Sequence, residues 1–195
     1  ADPQTGEVRS VREETQETYY EGGYSRENWR VLPASNEAIW FSEKSNWGHL
    51  YLHDLSTGEL KNQITDGEWA VLDVQKVDEE NRAIYFTGSN REEGDPYFHY
   101  LYKVNFDGSG FTLLTPENAN HSIRWSEDKN YFVDSYSTPI TPPVTVLKDL
   151  TGKAITTLGE GDISALIADG WVAPEPFTVK ARDGETDIYG LLYKP

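Results

Sequence analysis

The 195-residue chain contains no cysteine and no methionine. Without cysteine it has no disulfides and no thiolate chemistry, although this leaves the compartment open because bacterial secreted proteins can lack cysteine too. No apolar run approaches the roughly 20 residues of a membrane-spanning helix, and no stretch reads as a signal peptide. Basic residues are scarce, 17 against 33 acidic ones, and the net charge of −16 argues against binding to nucleic acid.

No motif that organises a catalytic or metal site occurs in the sequence. A Gly-x-Ser-x-Gly nucleophile elbow, a His-Glu-x-x-His zinc motif, a phosphate-binding loop and a dinucleotide fingerprint are all absent. Gly108-Ser109-Gly110 places a serine between two glycines, but this pattern favours a hairpin turn over a nucleophile. We therefore expect no catalytic residue, no metal ligand and no cofactor in this chain.

A hairpin pattern recurs three times and organises the chain. In His49–Thr65, apolar and polar residues alternate with the period of a strand, and Ser56-Thr57-Gly58 supplies a turn. Tyr100–Thr115 and Val144–Leu158 repeat the pattern, each with glycine at its turn. A repeat of about 40 to 50 residues with strands and turns in every copy is typical of the blades of a β-propeller.

Two further strands precede each hairpin and complete a four-stranded unit. In the first unit these strands are Trp29–Leu32 and Ala38–Ser42, and in the second they are Trp69–Val77 and Ala83–Thr87. In the third unit they are Ser122–Ser126 and Tyr131–Tyr136. We predict an all-β fold, a partial β-propeller of about three four-stranded antiparallel blades. A β-sandwich of similar strand count is the alternative, and the repeated unit favours the propeller.

The pattern changes near residue 161, which sets the predicted boundaries. Residues 1–28 are predicted to be a remnant of a preceding blade and a loop, with Val8 and Val11 in an outer strand. Three blades follow at 29–66, 67–117 and 118–160, and a linker helix and hairpin at 161–195. Asp162–Gly170 is a helix candidate, capped by its aspartate and ended by its glycine. Phe177–Pro195 reads as a hairpin that turns at Asp183-Gly184, and we interpret it as the start of another domain.

Two connections are longer than a hairpin needs, Gly88–Phe98 and Thr138–Pro143. They occupy matching positions in neighbouring units, so we expect both on one rim. The aromatic residues Tyr24, Trp29, Trp47 and Trp69 are expected to pack in blade cores rather than to line a binding surface.

Most polar side chains have a structural interpretation. The four histidines, His49, His53, His99 and His121, lie in or beside strands and are expected to be partly exposed rather than a metal site. The adjacent glutamates Glu13-Glu14 and Glu79-Glu80 are expected to be solvated, because neighbours on a strand point to opposite faces. Asp54 lies at turn spacing and is expected to bond its own backbone. Asn120-His121-Ser122 fits the glycosylation triplet, a pattern short enough to arise by chance.

Several stretches resemble, in order and spacing, the dipeptidyl peptidase IV family, particularly its bacterial members. They are Ile39–Glu43, Trp47–Leu52, Thr65–Trp69, Asn105–Gly108, Asn120–Ser122, Tyr131–Val133, Pro142–Val144 and Pro176–Gly184. The resemblance runs from about Trp29 to Pro195, and no single motif carries it.

The resemblance implies a secreted, periplasmic or membrane-anchored serine exopeptidase that removes dipeptides or tripeptides from N termini with Pro or Ala near the cut. Members of the family combine an N-terminal eight-bladed propeller with a C-terminal α/β-hydrolase domain. By this resemblance the chain is the last three blades and the first hairpin entering the hydrolase domain, and the Ser, Asp and His triad lies beyond Pro195.

Site residues follow from the resemblance only in one loop. Gly22–Arg26 falls where the family has an inner loop with an aromatic residue and an arginine near the substrate, which assigns those parts to Tyr24 and Arg26. An ordinary turn is the alternative and stays open. The setting of Glu13-Glu14 departs from the family's ammonium-binding glutamate pair, so that role is not carried over.

Two functions follow. The first is the non-catalytic propeller portion of such an exopeptidase, and this portion limits access to the active site. The resemblance places the enzyme in the periplasm or outside the cell. Its partners are then the peptide substrate and its own hydrolase domain, and its open blade faces predict a homo-oligomer. The alternative is a stand-alone β-repeat binding or scaffold module, against which the C-terminal hairpin argues. A free enzyme has little support, because no nucleophile–base pair is visible in the sequence.

Overall fold

The computed structural model describes residues 4–17, 19–23 and 27–194. These residues form three four-stranded antiparallel sheets and a two-stranded hairpin, and their α-helix, α1, is only Ser164–Ala168. The expected all-β fold class is therefore confirmed. The chain divides into two compact units: unit 1 is residues 1–92 and 101–113, and unit 2 is residues 93–100 and 114–195.

Each four-stranded sheet is a meander of consecutive strands. The first contains β1 Arg30–Leu32, β2 Glu37–Ser42, β3 His49–Asp54 and β4 Leu60–Gln63. The second contains β5 Ala70–Asp78, β6 Ala83–Ser89, β7 Tyr100–Asn105 and β8 Thr112–Leu113. The third contains β9 Asn120–Trp125, β10 Tyr131–Thr138, β11 Thr141–Asp149 and β12 Ala154–Glu160. The predicted strands are present with small shifts at their ends, whereas the predicted domain boundaries stay a prediction.

The outer hairpin of each sheet turns at a glycine in the left-handed region. Gly58, Gly108 and Gly152 have φ of 77°, 85° and 82°, which a side chain with a Cβ adopts only at a cost. Asp54 Oδ1 accepts the N–H of Ser56 at 2.8 Å, and an aspartate acts similarly in the other two hairpins. The expectation that Asp54 bonds its own backbone is confirmed.

The N-terminal segment repeats the turn of the first outer hairpin. Gly6 has φ of 73° and Gly58 has φ of 77°. In both turns the next residue donates its N–H to a threonine hydroxyl two positions earlier, at 3.3 Å from Glu7 and 3.2 Å from Glu59. Residues 5–7 therefore share the turn of residues 57–59.

Residues 8–11 follow this turn as β4 follows Gly58. They do not form a strand, because no described segment pairs with them. The prediction of a strand that includes Val8 and Val11 is therefore wrong in secondary structure.

The segment nevertheless contacts the first sheet in the way that the first sheet contacts the second. The guanidinium of Arg9 donates to the carbonyls of Leu55 and Ser56 at 3.0 and 2.8 Å. On β4, Asn62 donates to the carbonyl of Phe106 at 2.9 Å. Leu55 and Phe106 hold the same place in their hairpins, so residues 9–12 lie where the outer strand of a preceding sheet would lie.

We expect Gly58→Ala to destabilise unit 1 and to release this segment. The substitution strains a left-handed residue by about 1–2 kcal/mol, and its Cβ would lie 1.9 Å from the carbonyl oxygen of Val11. Gly184→Ala is the matched control, because Gly184 has φ of 76° but its added Cβ would have no atom within 4 Å. Denaturant unfolding and limited proteolysis should show a larger loss and faster cleavage near residues 4–12 for Gly58→Ala, and equal effects of the two variants would contradict the contact.

Aromatic rings fill the core of the second sheet in unit 1. Trp69 is 5% exposed, and its ring centroid lies 6.0 Å from that of Phe86 and 5.9 Å from that of Tyr102. The expected core position is confirmed for Trp69, whereas Trp47 is half-buried. Trp29 is 47% exposed, so the expectation is wrong for that residue.

The predicted long loop at Thr138–Pro143 is wrong. Only Pro139 and Ile140 separate β10 from β11. Thr138 and Thr141 fasten this turn, because each donates its backbone N–H to the hydroxyl of the other, at 3.1 and 3.0 Å. Pro142 can enter β11 because regular pairing of that strand begins only at Val144. The other predicted loop is present, as residues 90–99 contain no regular structure.

Unit 2 ends in the predicted helix and hairpin. The carboxylate of Asp162 accepts the N–H of Ser164 at 2.9 Å, and Gly170, with φ of 93°, follows the helix. The hairpin pairs β13 Glu175–Lys180 with β14 Asp187–Leu192. No helix among the described residues is long and apolar enough to cross a membrane.

Candidate functional site

Tyr24 and Arg26, the two predicted site residues, lie outside the described residues, and their roles stay a prediction. The residues that flank them are well fixed. The N–H of Asn28 donates to the carbonyl of Gly22 at 3.0 Å, which joins the two ends of the segment. Asn28 is fully buried, and its side chain binds the backbone of β5, donating to Leu72 O at 2.7 Å and accepting the N–H of Val74 at 2.8 Å.

Glu14 lies in the same unit and is not solvated as expected. Its side chain is 7% exposed and accepts hydrogen bonds from Trp40 Nε1 at 2.7 Å, from the Ser42 hydroxyl, and from Arg12 at 3.2 Å. Burial alone would raise the pKa of Glu14, but these hydrogen bonds outweigh it and lower the pKa. Glu13 is exposed, so the prediction is wrong for Glu14 alone.

Three of the four histidines are buried rather than partly exposed. His49, His53 and His121 are 1%, 2% and 4% exposed. His49 Nε2 lies 2.9 Å from Gly67 O, which can only accept, so its Nδ1 accepts the hydroxyl of Thr65 at 3.1 Å. This threonine–histidine pair resembles a nucleophile and its base, but Thr65 is only 2% exposed and has no access to a substrate.

A buried charged cluster in unit 2 offers the ligands of a metal site. The cluster comprises Glu117, His121, Asp134 and Lys148, and the first three place their ligand atoms within 4.8 Å of one another. Lys148 Nζ lies 2.9 Å from an oxygen of Glu117 and 2.9 Å from an oxygen of Asp134. The ammonium therefore occupies the position between the carboxylates where a cation would bind, which favours a structural ion cluster over a metal centre.

Lys148 remains charged in this cluster. It is 2% exposed, and burial would lower its pKa, but hydrogen bonds from its ammonium to Asp134 and Glu117 raise the pKa instead. The sequence contained one signal of this role. Val146 and Lys148 lie two residues apart on β11, so the lysine occupies an inward position of a strand.

The serine between glycines lies in a hairpin turn, as predicted. The hydroxyl of Ser109 donates to Asp107 Oδ1 at 2.7 Å and accepts the side-chain N–H of Asn105 at 3.0 Å. These contacts stabilise the turn, and no histidine takes part in them.

A cavity in unit 2 has a mostly apolar lining. It has a volume of about 830 Å³ and is lined by the end of the long loop and by the C-terminal hairpin. Tyr97 from the loop meets Tyr189 from β14 edge to face, with ring centroids 6.3 Å apart. Such a cavity can hold an apolar group, and of the lining residues only Asp95 is charged.

Comparison with known proteins decides the family. Residues 1–143 match the family model described as the dipeptidyl peptidase IV (DPP IV) N-terminal region. The chain belongs to this family.

Named relatives agree with this assignment. A stretch of 107 residues is 34% identical to dipeptidyl peptidase 4 of Arthroderma otae and covers 52% of this chain but 13% of that protein. Dipeptidyl peptidase 4 of Trichophyton equinum is 31% identical over 103 residues, with the same coverage. The chain thus matches a small part of the length of these curated relatives.

A solved structure supports the fold. The crystal structure of Porphyromonas gingivalis dipeptidyl peptidase 4 matches 82% of this chain and 22% of its own chain, with a TM-score of 0.65 and 23% identity. The likeness extends the DPP IV resemblance from short stretches of sequence to the arrangement of strands.

Glu14 and the Lys148 cluster were missed in the sequence because their partners are distant in the chain.

Proposed function

We propose that this DPP IV chain is the non-catalytic propeller portion of a secreted serine exopeptidase that removes N-terminal di- or tripeptides after Pro or Ala. The observation that carries the proposal is the match of residues 1–143 to the DPP IV N-terminal region. The names of the relatives, dipeptidyl peptidase 4, support the reaction class. Periplasmic or extracellular location is part of this proposal.

An apolar face on the C-terminal hairpin supports a further domain. One face of the hairpin is formed by Phe177, Val179, Ile188 and Leu192. Phe177 and Val179 lie two positions apart on β13 and so face the same side, and Val179 pairs with Ile188. Leu192 lies four positions after Ile188 on β14 and faces that side too. Each is between 44% and 49% exposed. Apolar faces of this kind are normally covered, and in the proposed parent an α/β-hydrolase domain covers it and supplies the triad and oxyanion hole.

The propeller is proposed to restrict access to that active site. A backbone hydrogen bond joins Gly22 and Asn28, the residues that flank the predicted loop. On it, Arg26 would bind a peptide carbonyl or carboxylate and Tyr24 would stack on the substrate. In the isolated chain, the exposed hairpin face supports self-association at high concentration.

Peptidase assays test this proposal. The purified chain is expected not to hydrolyse a dipeptidyl-proline chromogenic substrate, because the Thr65 and Ser109 hydroxyls bind other protein groups. An antibody raised against the chain should deplete dipeptidyl peptidase activity from an extract of the source cells. Turnover that copurifies with the chain itself, or undiminished activity after depletion of the antigen, would contradict the proposal.

A further inference from the structure

Four parts of unit 2 meet around the cavity of about 830 Å³. The loop before β7 contributes Asp95 and Tyr97, and Asn118 lies just before β9. The turn between β10 and β11 adds Pro139 and Ile140, and the C-terminal hairpin forms the fourth part. A volume of this size lies within the range of about 300–1,000 Å³ that is usual for pockets that hold small organic ligands.

The hairpin turns one particular face toward the cavity. Tyr189 pairs with Thr178 and Leu191 pairs with Pro176, so these four side chains share a face. The apolar face that we assign to a further domain is the opposite one, because neighbours on a strand point to opposite sides. Covering that apolar face therefore leaves Tyr189 and Leu191, which are 36% and 39% exposed, to a different occupant.

Asp95 is the charged residue of the cavity lining. Its Oδ1 accepts the N–H of Tyr97 at 2.9 Å, which fixes the side chain within its own loop. No further hydrogen bond or ion pair reaches the carboxylate from the residues that the structure describes. Oδ2 is thus open to a ligand, and the charge favours a cation over an anion such as phosphate.

An amide donor lies close to this carboxylate. Asn118 Oδ1 accepts the hydroxyl of Tyr100 at 3.3 Å, and no acceptor among the described residues binds the two N–H groups of its Nδ2. A Cβ on Gly94 would lie 2.7 Å from Asn118 Oδ1, so the amide packs directly on the residue before Asp95. The cavity therefore presents an anionic acceptor and a neutral donor near each other.

Aromatic rings complete the cavity. The rings of Tyr97 and Tyr189 meet edge to face, and Tyr97 is 67% exposed. Such rings pack against another aromatic group and also attract a cation. The hydroxyls of Thr138 and Thr141 bind each other at 2.7 Å and offer little to a ligand. Because a longer peptide needs a partner for each backbone amide, a lining with so few free polar groups favours a small molecule.

We propose that this cavity binds a small primary ammonium compound that carries an aromatic ring and a carbonyl next to the ammonium. The ammonium pairs with Asp95 Oδ2, the carbonyl accepts from Asn118 Nδ2, and the ring packs against Tyr97 and Tyr189. An α-amino amide of an aromatic amino acid has all three groups. This binding site goes beyond the proposed function, since nothing in it depends on peptide hydrolysis.

Titration of the 195-residue chain with phenylalaninamide tests the proposal. Calorimetry should show saturable binding, and the side-chain amide resonances of Asn118 should shift. Asp95→Asn should weaken binding about tenfold, because one charged hydrogen bond is lost. Asparagine keeps an oxygen for the N–H of Tyr97, so the loop should hold its conformation. Glu93→Gln is the control and should leave affinity unchanged, because Glu93 is exposed in the same loop and does not line the cavity.

Altered ligands keep the test independent of the folding of the variant. N-Acetylphenylalaninamide lacks the ammonium, phenethylammonium lacks the carbonyl, and alaninamide lacks the ring. Each should bind the wild-type chain about fivefold or more weakly than phenylalaninamide does. The acetylated ligand should bind wild type and Asp95→Asn equally, since the pair of ammonium and carboxylate is then absent from both complexes.

Three results would overturn the proposal: no saturable binding of phenylalaninamide, equal binding of its acetylated form, or a loss in Glu93→Gln as large as that in Asp95→Asn. A tetrapeptide amide that begins with phenylalanine and binds more tightly than phenylalaninamide would place a peptide in the cavity and would also overturn it. All of these results are read from binding, so failure here is distinct from failure of the proposed function.

Discussion

Lys148→Met is expected to lower the free energy of unfolding of unit 2 by about 3–5 kcal/mol, the cost of breaking a buried ion pair. The lysine is 2% exposed, and its ammonium contacts both Glu117 and Asp134. Methionine nearly matches the volume of lysine but leaves Asp134, which is fully buried, without its cation. Denaturant unfolding followed by circular dichroism measures the loss.

Lys153→Met provides the matched control, because Lys153 is exposed beyond the turn that follows β11. It should change stability by less than about 0.5 kcal/mol. A loss in Lys148→Met as small as that of the control would mean that the cluster contributes little to folding. Binding of zinc by the wild-type cluster, seen by calorimetry, would contradict its assignment as an ion cluster.

Glu37→Gln is expected to destabilise unit 1 at neutral pH and to have little effect near pH 2. Arg82 binds both oxygens of Glu37 at 2.8 and 3.1 Å, and Lys61 pairs with it too. The hydrogen bonds from Arg82, against the effect of burial and with help from Lys61, lower the pKa of Glu37 from 4.5 to about 2. Because the pKa is lower in the folded state, the stabilisation is complete above the unfolded pKa and is lost as pH falls toward 2.

The expected loss at neutral pH is about 2 kcal/mol. The full shift would correspond to about 3 kcal/mol, but Arg82 and Lys61 are 47% and 45% exposed, so solvent screens part of the interaction. Urea unfolding of both proteins across this pH range measures the difference. Glu59→Gln, at an exposed carboxylate, is the control, and a Glu37→Gln effect that persists unchanged near pH 2 would contradict the account.

Local patterns made the three sheets predictable. The alternation in His49–Asp54 and the glycine at 58 determine a hairpin within a few residues of sequence. Because the same pattern recurs in the other two hairpins, the four-stranded repeat could be predicted from it. The turn at Thr138–Thr141 was not predictable in this way. Two prolines after it suggested a loop, while the reciprocal hydrogen bonds of the two threonines leave no composition signal.

The candidate groups were harder to predict because they depend on distant residues. Glu14 is buried by Trp40 and Ser42, which lie 26 and 28 positions later. A charged residue in a polar segment gives no sign of such partners. Lys148 was partly visible, since alternation along β11 places it on the same side as Val146.

The mass of the native polypeptide in its source cells tests the central claim most directly. An antibody against this chain, used on a denaturing gel after labelling with a serine-hydrolase probe, reports both mass and an active serine. The account predicts a labelled species several times heavier than the 22.1 kDa of this chain. An unlabelled species near 22.1 kDa would contradict it and would favour a stand-alone β-repeat module.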